Sequence, residues 1–292
     1  MNFAHLEIER AGPIATLWLN RPERLNALNR DLMEEMTAAA DSFREDTETR
    51  VVIIAGRGRH FCAGADLGTS AQSSAAAAGA TGDGAMPGLL QPSTLLQPST
   101  LLQPSTLLQP STLLQKQRAT ITGPRLIRAL LDINQITIAA VHGAALGGGC
   151  CIATACDFRI GSVDAFCGYP EIDRGMNLQW RALPLCVRLI GPARAKRMII
   201  LGKHETAHTL LNWGFFDQVV PRGELLDAAQ KMAREYAAKA PLPAQMIKQS
   251  VNAVSNALDP AIMHMDHDQW LLTSSTEDYS EGVRAFFERR PR

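Results

Sequence analysis

The residues of this chain whose types and spacing could do chemistry lie at two glycine-rich junctions. His142-Gly143-Ala144-Ala145-Leu146-Gly147-Gly148-Gly149-Cys150-Cys151 follows the apolar, β-branched run at 136–140 and leads into Ile152-Ala153-Thr154-Ala155-Cys156, small residues suited to a closely packed helix. Strand, glycine turn and helix start meet there. The first N–H groups of such a helix lack intrahelical partners, its dipole is positive at that end, and glycine lets a foreign oxygen approach the backbone. The stretch can hold an anion or a developing oxyanion. A glycine triplet also serves where a helix merely packs closely on a sheet, and this stretch alone does not separate the two. A second junction of the same kind, Gly56-Arg57-Gly58-Arg59-His60-Phe61-Cys62-Ala63-Gly64-Ala65-Asp66-Leu67, follows the run RVVIIA at 50–55, which reads as a buried parallel-type strand.

The elements that must position these junctions follow from periodicity. Residues 6–9 and 14–19 read as short strands joined by the turn signal Ala11-Gly12-Pro13. A loop spans 20–28, and Asn29 can cap a helix over 30–43 with Leu32, Met33, Met36 and Ala40 at helical spacing. Residues 124–133 are helical by the spacing of Leu126, Ile127, Leu130 and Leu131. Strands are expected over 157–161, 165–168 and 216–220. Helices are expected over 183–189, 192–201 with Pro192 in the first turn, 207–213, 223–240, 244–258 and 259–272, and the chain ends in a helical stretch at 283–289. Strands alternating with helices argue for an α/β arrangement with a helical C-terminal third.

At 292 residues the chain suffices for one large domain or two modest ones. Its 29 basic residues balance 29 acidic ones, so net charge gives no electrostatic footprint for nucleic acid or an anionic membrane surface. Cys62, Cys150, Cys151, Cys156, Cys167 and Cys186 lack the paired spacing of a zinc site, and no charged-then-apolar leader precedes the first strand. A reducing cytoplasm, no metal site and no membrane span are expected. Residues 1–222 are read as the core domain and 223–292 as a helical C-terminal region.

Residues 69–117 differ in character. Positions 70–88 are mostly Ala, Gly and Ser, and the hexad Leu-Leu-Gln-Pro-Ser-Thr then repeats without change from Leu89 through Thr112. A proline every six residues prevents a continuous helix, and the period matches no common solenoid. The segment reads as a mobile or irregularly extended surface insertion, whose leucine pairs could adhere to an apolar groove or a neighbouring subunit.

Taken together, NRPERLNAL, VVIIAGRGRHFCAGADL, ITIAAVHGAALGGGCCIATACDFRI, FCGYPEIDRGMN, LIGPARAKRMIILG, NWGFFDQVVP and EGVRAFFERRP resemble, in order, the crotonase (enoyl-CoA hydratase/isomerase) superfamily. The resemblance covers nearly the whole chain outside the insertion. It implies a spiral of ββα units and a helical C-terminal region that mediates trimerisation, often with trimers paired into hexamers. It implies an acyl-CoA thioester as partner, with coenzyme A arriving as part of the substrate and no permanently bound cofactor.

By the same resemblance the backbone N–H groups of Ala65 and Gly148 form an oxyanion hole for a thioester enolate, a device whose single donors are worth about 3 to 4 kcal/mol of barrier in other enzymes. Coenzyme A is expected along Arg24, Leu25 and Ala27 and along Ala63, Gly64, Asp66 and Leu67, with Phe287 and Arg289 closing over the nucleotide. Ordinary solvated charge is the alternative for Arg24, Arg289 and Arg290, and a turn-holding role the alternative for Asp66. Family hydratases hold water between two glutamates. This chain has Cys151 at the first position and Glu171 at the second, so the pair is broken.

An unperturbed thiol is mostly neutral near pH 7, and Cys151 reads better as a small packing residue than as a nucleophile. Glu171 alone resembles the single-carboxylate members, which move a double bond from the 3 to the 2 position; as a structural residue it would instead pair with Arg174. Dienoyl-CoA isomerase chemistry is disfavoured, because acids are missing at Cys151 and Gln179. Hydration or hydration with bond cleavage remains open if Tyr169, Tyr236 or Asp173 supplies a second group. So does a CoA-thioester-binding or assembly protein with little catalysis.

Overall fold

The computed structural model describes residues 3–66, 112–288 and 290. Its centre is a six-stranded sheet built on the apolar runs. The hairpin β1 (Leu6–Ala11) and β2 (Ile14–Leu19) turns at Gly12, whose φ of 59° suits glycine. Then β3 (Val51–Gly56), β4 (Ile136–Val141), β6 (Phe158–Ser162) and β9 (Gln218–Val220) join in parallel, in the order β1-β2-β3-β4-β6-β9. Strands β2 and β3 are buried at every position, as parallel strands covered on both faces must be.

One face carries α1 (Arg30–Glu45), α3 (Thr122–Leu131) and α4 (Gly148–Ala155), with Leu32, Met36, Phe43, Leu126 and Ile152 in a core shared with Leu17, Val52 and Ile54. Asn29 caps α1 as expected, accepting from the Leu32 N–H at 2.9 Å. The other face carries α8 (Leu225–Ala237). Its Ala229, Ala233 and Ala237, one turn apart, pack with Ile53, Ile138 and Ile160.

A second, three-stranded sheet has the order β5 (Ala144–Leu146), β7 (Phe166–Gly168), β8 (Glu205–Thr206). Isolated bridges extend it: Cys62 pairs with Ala145 and Leu28 with Ala65. A strand in the large sheet, a short one in the small sheet and a helix therefore repeat as β4-β5-α4 and β6-β7-α5, with α5 at Ala182–Ile190. This is the expected ββα spiral. Helices α6 (Pro192–Ile200), α7 (Ala207–Trp213), α9 (Pro241–Ser255), α10 (Pro260–Met263), α11 (Asp266–Thr273) and α12 (Glu277–Glu288) complete the chain.

Three expectations change. Residues 144–146, read as part of a glycine turn, are strand β5. The helix expected over 259–272 is broken at 264–265, where the His264 ring takes the Pro260 carbonyl, 3.0 Å away, that would continue the ladder. The hexad repeats through residue 111 lie outside the described residues, but the end of the segment is not irregular. Leu113–Ala119, beyond the last proline, forms α2 and packs on α11. No described helix is long and apolar enough to cross a membrane.

Candidate active site

The small sheet converges the two glycine junctions and the segment that bears Glu171. The Gly64 α-carbon, at φ 100°, faces the Leu146 carbonyl so closely that a Cβ would stand 2.8 Å from its oxygen, and a Cβ on Gly149 would stand 2.5 Å from the Cys62 oxygen. The 62–65 loop therefore lies against 146–149. On the other side Leu146 pairs with Gly168, and the Gly147 N–H donates to the Gly168 carbonyl at 2.9 Å. The chain leaves β7 into a short 3-10 turn, Pro170–Arg174, which delivers Glu171. At Gly147, φ 49° and ψ −119°, a Cβ would meet Glu171 Oε1 at 2.9 Å. Only glycine fits that corner.

Gly148 thus follows the residue that meets the Glu171 carboxylate, and Ala65 follows Gly64, which lies against the same turn at Leu146. Among the described residues neither the Ala65 nor the Gly148 N–H has a hydrogen-bond acceptor. Gly148 is the first residue of α4, where an unpaired N–H is the rule. Ala65 is held by its neighbours, Gly64 accepting from the Leu28 N–H at 2.8 Å and Asp66 donating to the Leu28 carbonyl at 3.0 Å. Two fixed donors beside a carboxylate can stabilise negative charge created by removing a proton nearby.

Glu171 Oε2 is buried without a partner among the described residues, and burial pushes the carboxyl up to about 7. No ion pair joins it to Arg174. That guanidinium instead lies 4.3 Å from the centroid of the Phe286 ring on α12. The turn is gripped from the same side: a Cβ on Gly282 would stand 2.7 Å from the Arg174 α-carbon, and one on Gly175 2.6 Å from the Tyr279 nitrogen.

Cys151, one turn into α4, is buried; burial first, then the neighbouring Glu171 carboxylate, holds its thiol far above the usual range. It is a neutral thiol at physiological pH.

Asp66 has a structural partner in buried Arg21, 3.3 Å away, which also donates to the Ala27 carbonyl. Leu25, at φ 52°, and Asn26, at φ 54°, are consecutive left-handed residues, each costing about 1–2 kcal/mol. Asn26, missed by the sequence reading, holds them. Its fully buried amide accepts from the Arg21 N–H at 2.9 Å and donates to the Arg57, His60 and Phe61 carbonyls at 2.9, 2.9 and 3.1 Å. Asn26→Ala is expected to lower stability by about 3 kcal/mol through orphaned buried groups and the lost turn preference, read by urea denaturation.

Other expected positions fall elsewhere. The Tyr169 hydroxyl is buried against Thr154 Oγ1, and Tyr236 stacks on Phe158 at 4.7 Å beyond the large sheet. Neither offers a free hydroxyl at Glu171. Gln179 supplies a carbonyl to the Ala182 N–H at 3.3 Å at the start of α5. Asp173 is exposed and Arg24 half-buried. Phe287 rides on α12 and meets Phe286 edge to face at 5.5 Å. Leu67 and Arg289 lie outside the described residues.

Trp180 and Arg181 form another left-handed pair, φ 58° and 59°, which the sequence reading also missed. The Asp266 carboxylate of α11 accepts from the Arg181 N–H at 2.7 Å, and the indole reaches back to Gly148.

A sequence profile of the enoyl-CoA hydratase/isomerase family matches residues 9–91 and 109–292. The chain belongs to that family. Among its relatives, a short-chain-enoyl-CoA hydratase of Clostridium acetobutylicum is 29% identical over 99% of this chain and 97% of its own length. A probable enoyl-CoA hydratase of Mycobacterium tuberculosis is 31% identical over the same shares. The crystal structure of an enoyl-CoA hydratase from Mycobacterium avium subsp. paratuberculosis superposes with a TM-score of 0.78 at 23% identity, over 100% of this chain and 99% of that one. The crotonase family fold is therefore present across the chain, and within it Cys151 and Trp180 are the features that ask for a functional account.

Proposed function

We propose that the protein isomerises an enoyl-CoA, moving its double bond from the 3 to the 2 position with Glu171 as the sole carboxylate. The reading is carried by one observation: the Glu171 carboxyl, raised to about 7 by burial, lies against Gly147, next to the unpartnered N–H of Gly148, while a neutral thiol stands at Cys151. The CoA moiety runs along Arg24, Leu25 and Ala27 and along Ala63, Gly64 and Asp66, with its thioester oxygen between the Ala65 and Gly148 N–H groups. Glu171 takes a proton from C2. The electron pair of that C–H bond spreads through the thioester and the C3–C4 double bond as a dienolate, and Glu171 returns the proton at C4. No water is consumed, so a second carboxylate is not needed.

Hydration is the second reading, favoured by the hydratase names of the relatives. The two part on products. Isomerisation interconverts a 3-enoyl-CoA and its 2-enoyl isomer and adds no water to either; formation of 3-hydroxyacyl-CoA from 2-enoyl-CoA would establish hydration instead. Tight binding with no turnover of either would point to a binding role.

The active unit is a trimer, alone or paired into a hexamer. Ile247, Val251 and Val254 on one side of α9, and Leu258 in its following turn, are exposed, Val254 and Leu258 at 82% each, an apolar stripe that a second copy would cover. Sedimentation at three or six times the mass of the chain is the expected result, and a monomer would refute it.

A further inference from the structure

The indole of Trp180 bridges the two helices that flank the reacting atoms. A Cβ on Gly123, in α3, would lie 2.1 Å from Cε2 and 2.3 Å from Nε1, so the ring's five-membered side rests on that glycine. A Cβ on Gly148, the first residue of α4, would lie 2.4 Å from Cζ3 and 2.8 Å from Cη2, so the six-membered side rests on the proposed oxyanion donor. Leu28 Cδ1 closes the same face of Gly148, 2.9 Å from that Cβ position. Helices α3 and α4 pack on each other, and the indole fills the seam between them.

The conformation is held from outside the seam. Trp180 and Arg181 keep their left-handed backbone while the Asp266 carboxylate fixes the Arg181 N–H. A ring so held is a wall rather than a gate. With the thioester oxygen at the Gly148 N–H and the carbon to be deprotonated at Glu171 Oε1, an acyl chain continuing past Gly148 meets Trp180 and Leu28.

We infer that Trp180 sets the acyl length this enzyme takes, closing the α3–α4 seam so that short acyl-CoA thioesters fit and long ones do not. The inference rests on the proposed acyl-CoA reading of the site. It assigns to Trp180 a specificity role that packing alone would not give it, since a core tryptophan would affect all chain lengths alike.

The test is calorimetric titration of the full-length protein with two unreactive saturated thioesters, butanoyl-CoA and decanoyl-CoA, for wild type, Trp180→Ala and Trp180→Phe. The wild type should bind decanoyl-CoA at least about tenfold more weakly than butanoyl-CoA, the discrimination a blocked apolar pocket reaches for a single surplus methylene. Trp180→Ala should remove most of that ratio, and Trp180→Phe, which keeps a ring in the seam, should retain part of it. Equal binding of both thioesters by the wild type overturns the inference and leaves the acyl-CoA site standing. An unchanged ratio in folded Trp180→Ala overturns it as well. Binding of neither thioester by the wild type overturns the acyl-CoA reading and this inference with it. Should Trp180→Ala not fold, the wild-type ratio and Trp180→Phe decide.

Discussion

Glu171→Gln is expected to lower turnover of a 3-enoyl-CoA by about 10³-fold, within the range a positioned base contributes, while acyl-CoA binding persists. Glutamine keeps the size of the side chain and its contact with Gly147 but cannot accept the C2 proton. Because the base must be ionised and burial holds its carboxyl at about 7, wild-type kcat/KM should climb as pH rises through 7 and level off above it. A profile already flat from pH 5 would contradict the assignment.

The same burial has a signed effect on stability. The Glu171 carboxyl titrates near 4.5 in the unfolded chain and near 7 in the folded one. Below 4.5 both states hold the proton. Between 4.5 and 7 the unfolded chain releases it and the folded one does not, so stability falls as pH rises and the loss is complete above 7. Glu171→Gln is free of this penalty. It should match the wild type at pH 4 and exceed it at pH 8 by up to about 3 kcal/mol, in urea denaturation at the two pH values.

Cys151→Glu is expected to bring hydration of 2-enoyl-CoA thioesters where the wild type has little. Residue 151 stands one turn after Gly148 and close enough to Glu171 for that carboxylate to raise its thiol. A second carboxyl there faces the first in a buried site, where two negative charges resist coexisting. One group then keeps a proton at neutral pH while the other is ionised. Such a pair can both orient a water molecule and accept its proton, which one glutamate cannot do alone. Burying the new group should cost stability, so folding is checked first by circular dichroism. A folded variant that still adds no water would show that the missing carboxylate is not the obstacle to hydration.

Much of this site was legible before any coordinates. Long apolar runs placed β2, β3 and β4, Asn29 marked the start of α1, and the ordered motifs placed Ala65, Gly148 and Glu171 in segments that the structure brings together. The sequence reading missed β5 and β8: β5 is Ala-Ala-Leu running straight into the glycines, with no β-branched or aromatic residue to mark a strand, and β8 has only two residues. The Asn26 network and the seat of Trp180 were hidden for another reason. Both depend on partners far along the chain, such as Phe61 for Asn26 and Asp266 for the turn at Arg181, and no local signal announces such a pairing.

The packing of α12 on the turn that carries Glu171 makes the order of that turn depend on the last helix of the chain. Undocking the last helix is a partial unfolding event that exposes little of the central sheet, yet it would free Arg174 and loosen the turn that aims Glu171. Mild denaturant should therefore extinguish turnover while the sheet amides still resist hydrogen exchange. The C-terminal helix would then act as a latch whose opening free energy, rather than the stability of the whole fold, sets the conditions under which the enzyme works.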